Sequence, residues 1–288
     1  MKENYSAVVK TNPFLTRVYE YDKEKNTDII IDEILRTGYD IVIDLQNNFR
    51  SRRIASKVKT KTYRFKKPTI KKFLLVEFKW NLFKEIKSIP QMYSEPIPNL
   101  VLDEKPAQLF VPEEIVPSVK PDRHFIGFAP GSRHYTKMYP PEYFIELGKI
   151  LNSEGYTILL FGGKDDMEIC KQIHDSIPDS IDLSTENNLY QISRDMQECK
   201  LIVCNDSGLM HAATSVNVPV VTIFGSTVKE FGFFPYESNS IVLENEDLSC
   251  RPCSHIGRSS CPKGHFKCML ELKPEYVAEK IQSFIGQL

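Results

Sequence analysis

In the second half of the chain, short apolar runs rich in β-branched residues alternate with amphipathic stretches. Residues 125–129, 157–161, 201–204 and 219–224 are bounded by turn residues and read as strands. Between the first two, a segment opened by Pro140-Pro141 carries Phe144, Leu147 and Leu151 at helical spacing and closes at Gly155. Proline at the start and glycine just past the end is the usual asymmetry of a helix. Strand–helix alternation of this kind predicts a parallel, doubly wound α/β sheet. The first half repeats the theme less completely: a helix over 28–36, a buried strand over 39–44, and a mixed basic and apolar stretch over 69–89. It reads as part of a second α/β layer, short for a full nucleotide-binding-like domain. Seven of the eighteen prolines fall between Pro90 and Pro121, where neither period persists. That places a domain boundary near residue 120, dividing the chain into 1–120 and 121–288.

Charge changes the picture. Residues 1–88 carry 20 Lys and Arg against 11 Asp and Glu, whereas residues 89–288 carry 17 against 27, so the halves stand at +9 and −10. Fourteen basic residues between Arg50 and Lys87 face only Glu77 and Glu85. Such a stretch suits a polyanion or an anionic membrane surface, with a solvated helix face as the equal alternative. The acidic second half argues against an extended nucleic-acid track, so no nucleic-acid partner is expected. The composition, 41% hydrophobic and 26% charged, is that of an ordinary soluble protein. No apolar run approaches the roughly eighteen residues of a membrane span, and the first ten residues lack a signal-peptide core. A cytoplasmic protein is expected, with the inner membrane as a place of peripheral attachment.

Ligands in an open parallel sheet bind beyond the carboxyl ends of its strands, so the loops that follow them hold the candidate chemistry. In Ala129–Lys137 a glycine turn offers backbone N–H groups to phosphate, Ser132 adds a hydroxyl and Lys137 a point charge; a plain Pro-Gly-Ser turn is the alternative. In Phe161–Asp166 paired glycines permit close approach and a carboxylate can hold ribose hydroxyls, or Asp165 simply caps a helix. In Val203–His211 the residues Asp206, Ser207 and Gly208 stand at a helix N-terminus that favours a pyrophosphate, and His211 follows one turn later. Here the alternatives are a capping Asp206 and a core His211. Phe224–Thr227 closes the same pocket. Together the four loops fit a nucleoside diphosphate.

The ordered set of Pro-Gly-Ser, Lys137 with Met138-Tyr139-Pro140, Gly162-Gly163, Asn205–Gly208 with His211, Phe224–Thr227 and the cysteines from Cys250 to Cys268 resembles glycosyltransferase family 9 over 122–285. Its best-known members are the ADP-heptose:lipopolysaccharide heptosyltransferases. The resemblance implies the GT-B architecture of two Rossmann-like domains with parallel sheets, the N-terminal one incomplete here. It implies a metal-independent, inverting transfer of heptose or a related sugar from an ADP-sugar to the lipopolysaccharide inner core. Lys137 and Asp206 take the catalytic positions; Ser132, Lys137, Asp166, Asp206, Ser207, Gly208 and His211 take donor-binding ones. The segment Asp44–Ser51 matches the acceptor side, with Gln46, Arg50 and Arg53 as acceptor-binding residues for an anionic lipid A–inner core partner.

One departure stands out. Family members usually begin with a strand and a Gly-Asp-containing loop that supplies the proposed catalytic base, and this chain starts downstream of that segment. A general base contributes roughly 10²–10⁴-fold. Two states therefore stay open: a fragment or shifted start, and an impaired enzyme that still binds nucleotide. Other rivals are a hexosyltransferase or a sugar epimerase of the same architecture. Seven cysteines without a secretory signal argue against disulfides. Cys250, Cys253, Cys261 and Cys268 could form a structural zinc site, but reduced thiols are the favoured reading and no metal is expected at the catalytic site.

Overall fold

The apolar runs of the second half become central strands because both of their faces are covered by helices. In the computed structural model, which describes residues 1, 5–21, 27–121, 124–185 and 188–288, six parallel strands form one sheet. They are β3 (Phe125–Ala129), β4 (Thr157–Leu160), β5 (Ile181–Asp182), β6 (Leu201–Asn205), β7 (Val220–Phe224) and β8 (Ser240–Glu244). Preceding these in the chain are β1 (Ile41–Asp44) and β2 (Lys61–Arg64), and α1 (Ala7–Lys10), α2 (Thr27–Thr37), α3 (Phe49–Val58), α4 (Thr69–Phe78) and α5 (Ile89–Ser94). The later helices are α6 (Pro141–Ser153), α7 (Met167–His174), α8 (Leu189–Met196), α9 (Gly208–Ser215), α10 (Lys267–Leu270) and α11 (Pro274–Ile285).

The strand order is β5-β4-β3-β6-β7-β8, and every neighbouring pair is parallel. The order reverses between β3 and β6, so the loops after these two strands diverge and leave a crevice at the sheet's carboxyl edge.

Alternation along each strand sorts side chains between two cores. Ile126, Phe128, Ile158, Leu160, Leu201 and Val203 join α6, α7 and α11 on one face. Phe125, Ala129, Leu159, Phe161, Ile202 and Cys204 join α8 and α9 on the other. Gly127 points to the second face, and a Cβ there would come within 2.3 Å of Ile202 Cδ1 and 2.6 Å of Phe161 Cε2. Burial raises the thiols of Cys170, Cys199 and Cys204, the last to about 12, so these are inert packing groups.

By packing, the chain divides into Met1–Thr69 with Ile89–Glu104, and Ile70–Ser88 with Lys105–Leu288. The functional division at residue 120 stands as our proposal beside this one. In the first unit, β1 and β2 pair in parallel from Ile41↔Lys61 to Asp44↔Arg64, joined by α3. The turn between β1 and α3 is tightly specified. Asn47 adopts φ 44°, donates its N–H to Asp44 at 2.7 Å and its side-chain amide to Phe65 O at 2.8 Å. Asn48 and Ser51 then form a capping box at the start of α3.

Gly127→Ala should destabilise the protein by about 1–3 kcal/mol through overpacking. Urea unfolding checks this, with an unchanged midpoint as the contrary result.

Candidate donor-binding site

Three strand ends supply the site. After β3 the chain runs through Pro130-Gly131-Ser132 into a 3₁₀ turn at Tyr135–Lys137. After β6 it passes Asp206 and enters α9, with Ser207 in extended conformation as the N-cap. After β7 it crosses Ser226 and Thr227. Asn205, fully buried at the end of β6, locks the first two loops together: its amide donates to Pro130 O at 2.7 Å and its carbonyl oxygen accepts the Tyr139 N–H at 2.9 Å. Ser226 locks the third, donating to Thr136 Oγ1 at 2.9 Å while its N–H meets Thr136 O at 3.1 Å. A Cβ on Gly225 would lie 2.7 Å from Thr136 O, so the close approach of these loops requires glycine.

At the centre, Lys137 Nζ lies 2.8 Å from Asp206 Oδ2, with side chains only 15% and 6% exposed. Thr227 Oγ1 donates to the same oxygen at 2.6 Å. Asp206 is therefore not the helix cap; its carboxylate is held by the lysine and the threonine, and both contacts fall on one oxygen. The N-terminus of α9 carries no side-chain cap, and the Ser207 hydroxyl is buried with no hydrogen-bond partner among the described residues. Free N–H groups of a first helical turn, an unsatisfied hydroxyl and a lysine on one wall form a ready anion site.

The cavity has a volume of about 330 Å³. It is lined by Ser132, Arg133, His134 and Lys137 from the first loop, Asp206, Ser207, Gly208 and His211 from the second, and Thr227, Val228, Phe231, Phe233, His255 and Ile256. His211 is accessible at the mouth yet crowded by protein, and this desolvation lowers its pKa. Asp206 opposes the shift and Lys137 adds to it. The ring is therefore neutral at pH 7, not a buried core histidine.

Of the sequence-predicted donor residues, Ser132, Lys137, Asp206, Ser207, Gly208 and His211 share this one cavity. Asp166 lies outside its lining and packs against the first loop, where a Cβ on Gly131 would sit 2.0 Å from Asp166 Oδ1. Burial raises the Asp166 pKa, the Gly163 N–H bonded at 3.0 Å counters it, and Asp165 adds to it. Gln46 and Arg50 line a different cavity, of about 700 Å³ within the first unit, walled by Tyr5, Tyr19, Tyr21, Ile30, Ile34 and Ile54. Arg53 lines neither; it faces Asp28 at 3.9 Å across an exposed surface.

Sequence reasoning passed over Arg251. Its guanidinium, nearly buried, donates to Gly225 O at 2.6 Å, Thr227 O at 2.8 Å and Glu244 at 2.7 Å, and also to Asn245 O. It thus fixes the loop that holds Asp206. Beside it, Cys250, Cys253, Cys261, Cys268 and His265 border a small cavity of about 10 Å³. All four thiols are free, Cys250 Sγ lies 3.8 Å from His265 Nε2, and burial lifts Cys268 to about 12. Among the described residues no three such groups converge as a metal shell.

The profile of glycosyltransferase family 9 (heptosyltransferase) matches residues 30–263. The chain belongs to this family. It is similar to lipooligosaccharide heptosyltransferase 2 of Campylobacter jejuni, 32% identical over 171 residues, covering 57% of this chain and 52% of that protein. The match thus spans about half the length of that relative. Among solved structures, the family 9 glycosyltransferase of Veillonella parvula aligns with TM-score 0.75 and 23% identity, over all of this chain and 87% of that one. The Escherichia coli ADP-heptose LPS heptosyltransferase II aligns with TM-score 0.64 and 22% identity, over 90% and 80%. These likenesses show the fold that this family 9 chain shares, the mixed α/β architecture with parallel sheets.

Arg251→Met would leave carbonyls of the Thr227-bearing loop without their donor, at a cost of about 3 kcal/mol; this is the low end for a buried pair because Lys229 still meets Glu244 at 2.7 Å. Thermal unfolding should register that loss, and a wild-type melting temperature would contradict the assignment.

Proposed function

We propose that this family 9 chain binds an ADP-sugar in the crevice between β3 and β6 and transfers its heptose, or a related sugar, to the anionic lipopolysaccharide inner core. The observation that carries the reading is the Lys137–Asp206 pair beside the uncapped α9 N-terminus. A diphosphate leaving group develops negative charge as the glycosidic bond breaks, and a lysine with free helix N–H groups stabilises that charge without a metal ion. Ser132 and the Ser207 hydroxyl supply further donors. Asp206 keeps one oxygen outside its contacts with Lys137 and Thr227, which suits it to hold a hydroxyl of the transferred sugar. Asp166, set back against Gly131, holds the ribose, and transfer proceeds with inversion: the acceptor oxygen bonds the anomeric carbon from the opposite face as the bond to the diphosphate breaks, ADP departs, and the hydroxyl proton passes to a general base other than the donor-site residues named here.

Family membership and likeness to a heptosyltransferase 2 support heptose as the sugar, and the ADP-heptose enzyme among the structural neighbours supports ADP as the carrier. On the acceptor side, Gln46 and Arg50 border the tyrosine-walled cavity, and Arg53 adds charge nearby in sequence. Such an acceptor lies at the inner face of the cytoplasmic membrane, so the protein works there as a peripheral protein. No helix among the described residues is long and apolar enough to cross a membrane.

Calorimetric titration tests the donor site directly. ADP should bind more tightly than UDP, and Lys137→Ala should weaken ADP by about tenfold to a hundredfold, the worth of a charge-assisted hydrogen bond. Equal or absent binding by a folded protein would sink the proposal, and ADP binding without sugar transfer would reduce it to nucleotide binding alone. The pH profile adds a second check. Because His211 is neutral at pH 7, a bound diphosphate favours its protonation, so ADP affinity should rise as pH falls from about 7 towards 5.5. His211→Gln should flatten that rise; an unchanged slope would remove His211 from the site.

A further inference from the structure

The segment Ile70–Ser88 packs with the second unit, yet it is apolar on more than one side. In α4, Leu75 is buried, whereas Phe73 and Phe78 are exposed and Ile70 is 75% exposed. The loop that follows exposes Leu82, Ile86 and Trp80, the last to 61%. A helix covered on one face ordinarily turns polar residues outward. Here the outward face is aromatic and aliphatic, the kind of patch that marks an interaction site. The rings also hold one another: Phe73 and Phe78 stand 6.0 Å apart edge to face, and Phe78 and Trp80 5.5 Å apart. The patch is thus a built cluster.

Its charge is one-sided. Residues 70–88 contain five lysines against two glutamates. Lys84 is exposed, and Lys71 Nζ sits 5.7 Å from the Phe83 ring. Two other lysines fasten the segment to the unit beneath. Lys72 Nζ donates to Phe231 O at 3.3 Å and lies 5.5 and 5.2 Å from the rings of Phe231 and Phe233. Lys79 Nζ donates to Pro252 O at 2.7 Å, and Asn81 reaches Glu230 at 2.8 Å. Phe231 and Phe233 also wall the donor cavity. The exposed aromatic cluster is therefore anchored to the rim of the site.

We propose that Ile70–Ser88 is a membrane-docking element, which seats Phe73, Phe78 and Trp80 in the interfacial layer of an anionic phospholipid bilayer with Lys71 and Lys84 on lipid phosphates. Charge complementarity selects this occupant. Aromatic rings prefer headgroup depth, and lysines flanking them add attraction to a negatively charged leaflet. Docking through this segment brings the donor cavity to the surface where a lipid-linked acceptor is found; that last step rests on the function proposed above.

Trp80 is the chain's single tryptophan, so its emission reports on this segment alone. The whole protein is titrated with vesicles of phosphatidylglycerol mixed with phosphatidylcholine, and with phosphatidylcholine alone. The expected result is a blue-shifted emission on the anionic vesicles, quenched by brominated acyl chains, and binding at least about tenfold weaker on the neutral ones. The double variant Ile70→Ser/Phe73→Ser, which keeps the fluorophore, should lose vesicle binding and keep ADP binding. No emission change on anionic vesicles would overturn the proposal, as would co-sedimentation with the emission unmoved, which assigns adsorption to another surface. The same blue shift produced by a single-stranded oligonucleotide without vesicles would overturn it in favour of nucleic acid. ADP titration of the same wild-type samples keeps the two ideas apart: lost docking with ADP binding intact counts against docking alone, and docking without ADP binding counts against the donor site alone.

Discussion

An ion pair withdrawn from water is stable only if the surrounding structure holds both partners in place, and the Lys137–Asp206 contact imposes that requirement on three separate loops. Lys137 arrives on the turn after β3, Asp206 at the end of β6, and the threonine that shares its oxygen after β7. Everything nearby serves their alignment. Asn205 ties the first loop to β6, Ser226 and Thr136 tie the third loop to the first, and Arg251 fixes the carbonyl of Thr227 from behind. The glycine at 225 exists because Thr136 O leaves no room for a side chain.

In the proposed function the same pair gives the site its chemistry. A lysine already engaged by a carboxylate is oriented before a ligand arrives, so little side-chain entropy is lost when a diphosphate takes its place in the network. The helix end beside it contributes donors that need no orientation at all. In exchange, Asp206 retains acceptor capacity that a sugar hydroxyl can use. The crevice is a consequence of strand order: had that order not reversed between β3 and β6, the two loops would run side by side and leave no gap.

What was legible in the sequence follows from how local each signal is. Strands β3, β4, β6 and β7 are buried on both faces and appear as continuous apolar runs, which survive without knowledge of their neighbours. The edge strands do not. β8 is half-covered and β5 is only two residues long, so neither produces a clear period. Site residues were visible wherever they follow a strand directly, as Ser132, Asp206 and Thr227 do. Arg251 was not, because its role is set by carbonyls 24 and 26 positions earlier in the chain and by no pattern around it. The basic excess of 50–87 was plain in the sequence, but the packing of its part from Ile70 onward with the second unit depends on contacts such as Lys72 with Phe231, 159 positions apart. Capping by Asp206 was a reasonable alternative on spacing, and it gave way because Lys137 and Thr227 claim the carboxylate.

Hydrogen exchange with and without ADP tests most directly the claim that the crevice between β3 and β6 is the donor site. The account predicts slowed exchange in two separated peptides, one covering Ser132–Lys137 and the other the first turn of α9 at Gly208–Met210. Protection confined to the first unit around Gln46 and Arg50, or none in either loop at saturating ADP, would contradict it.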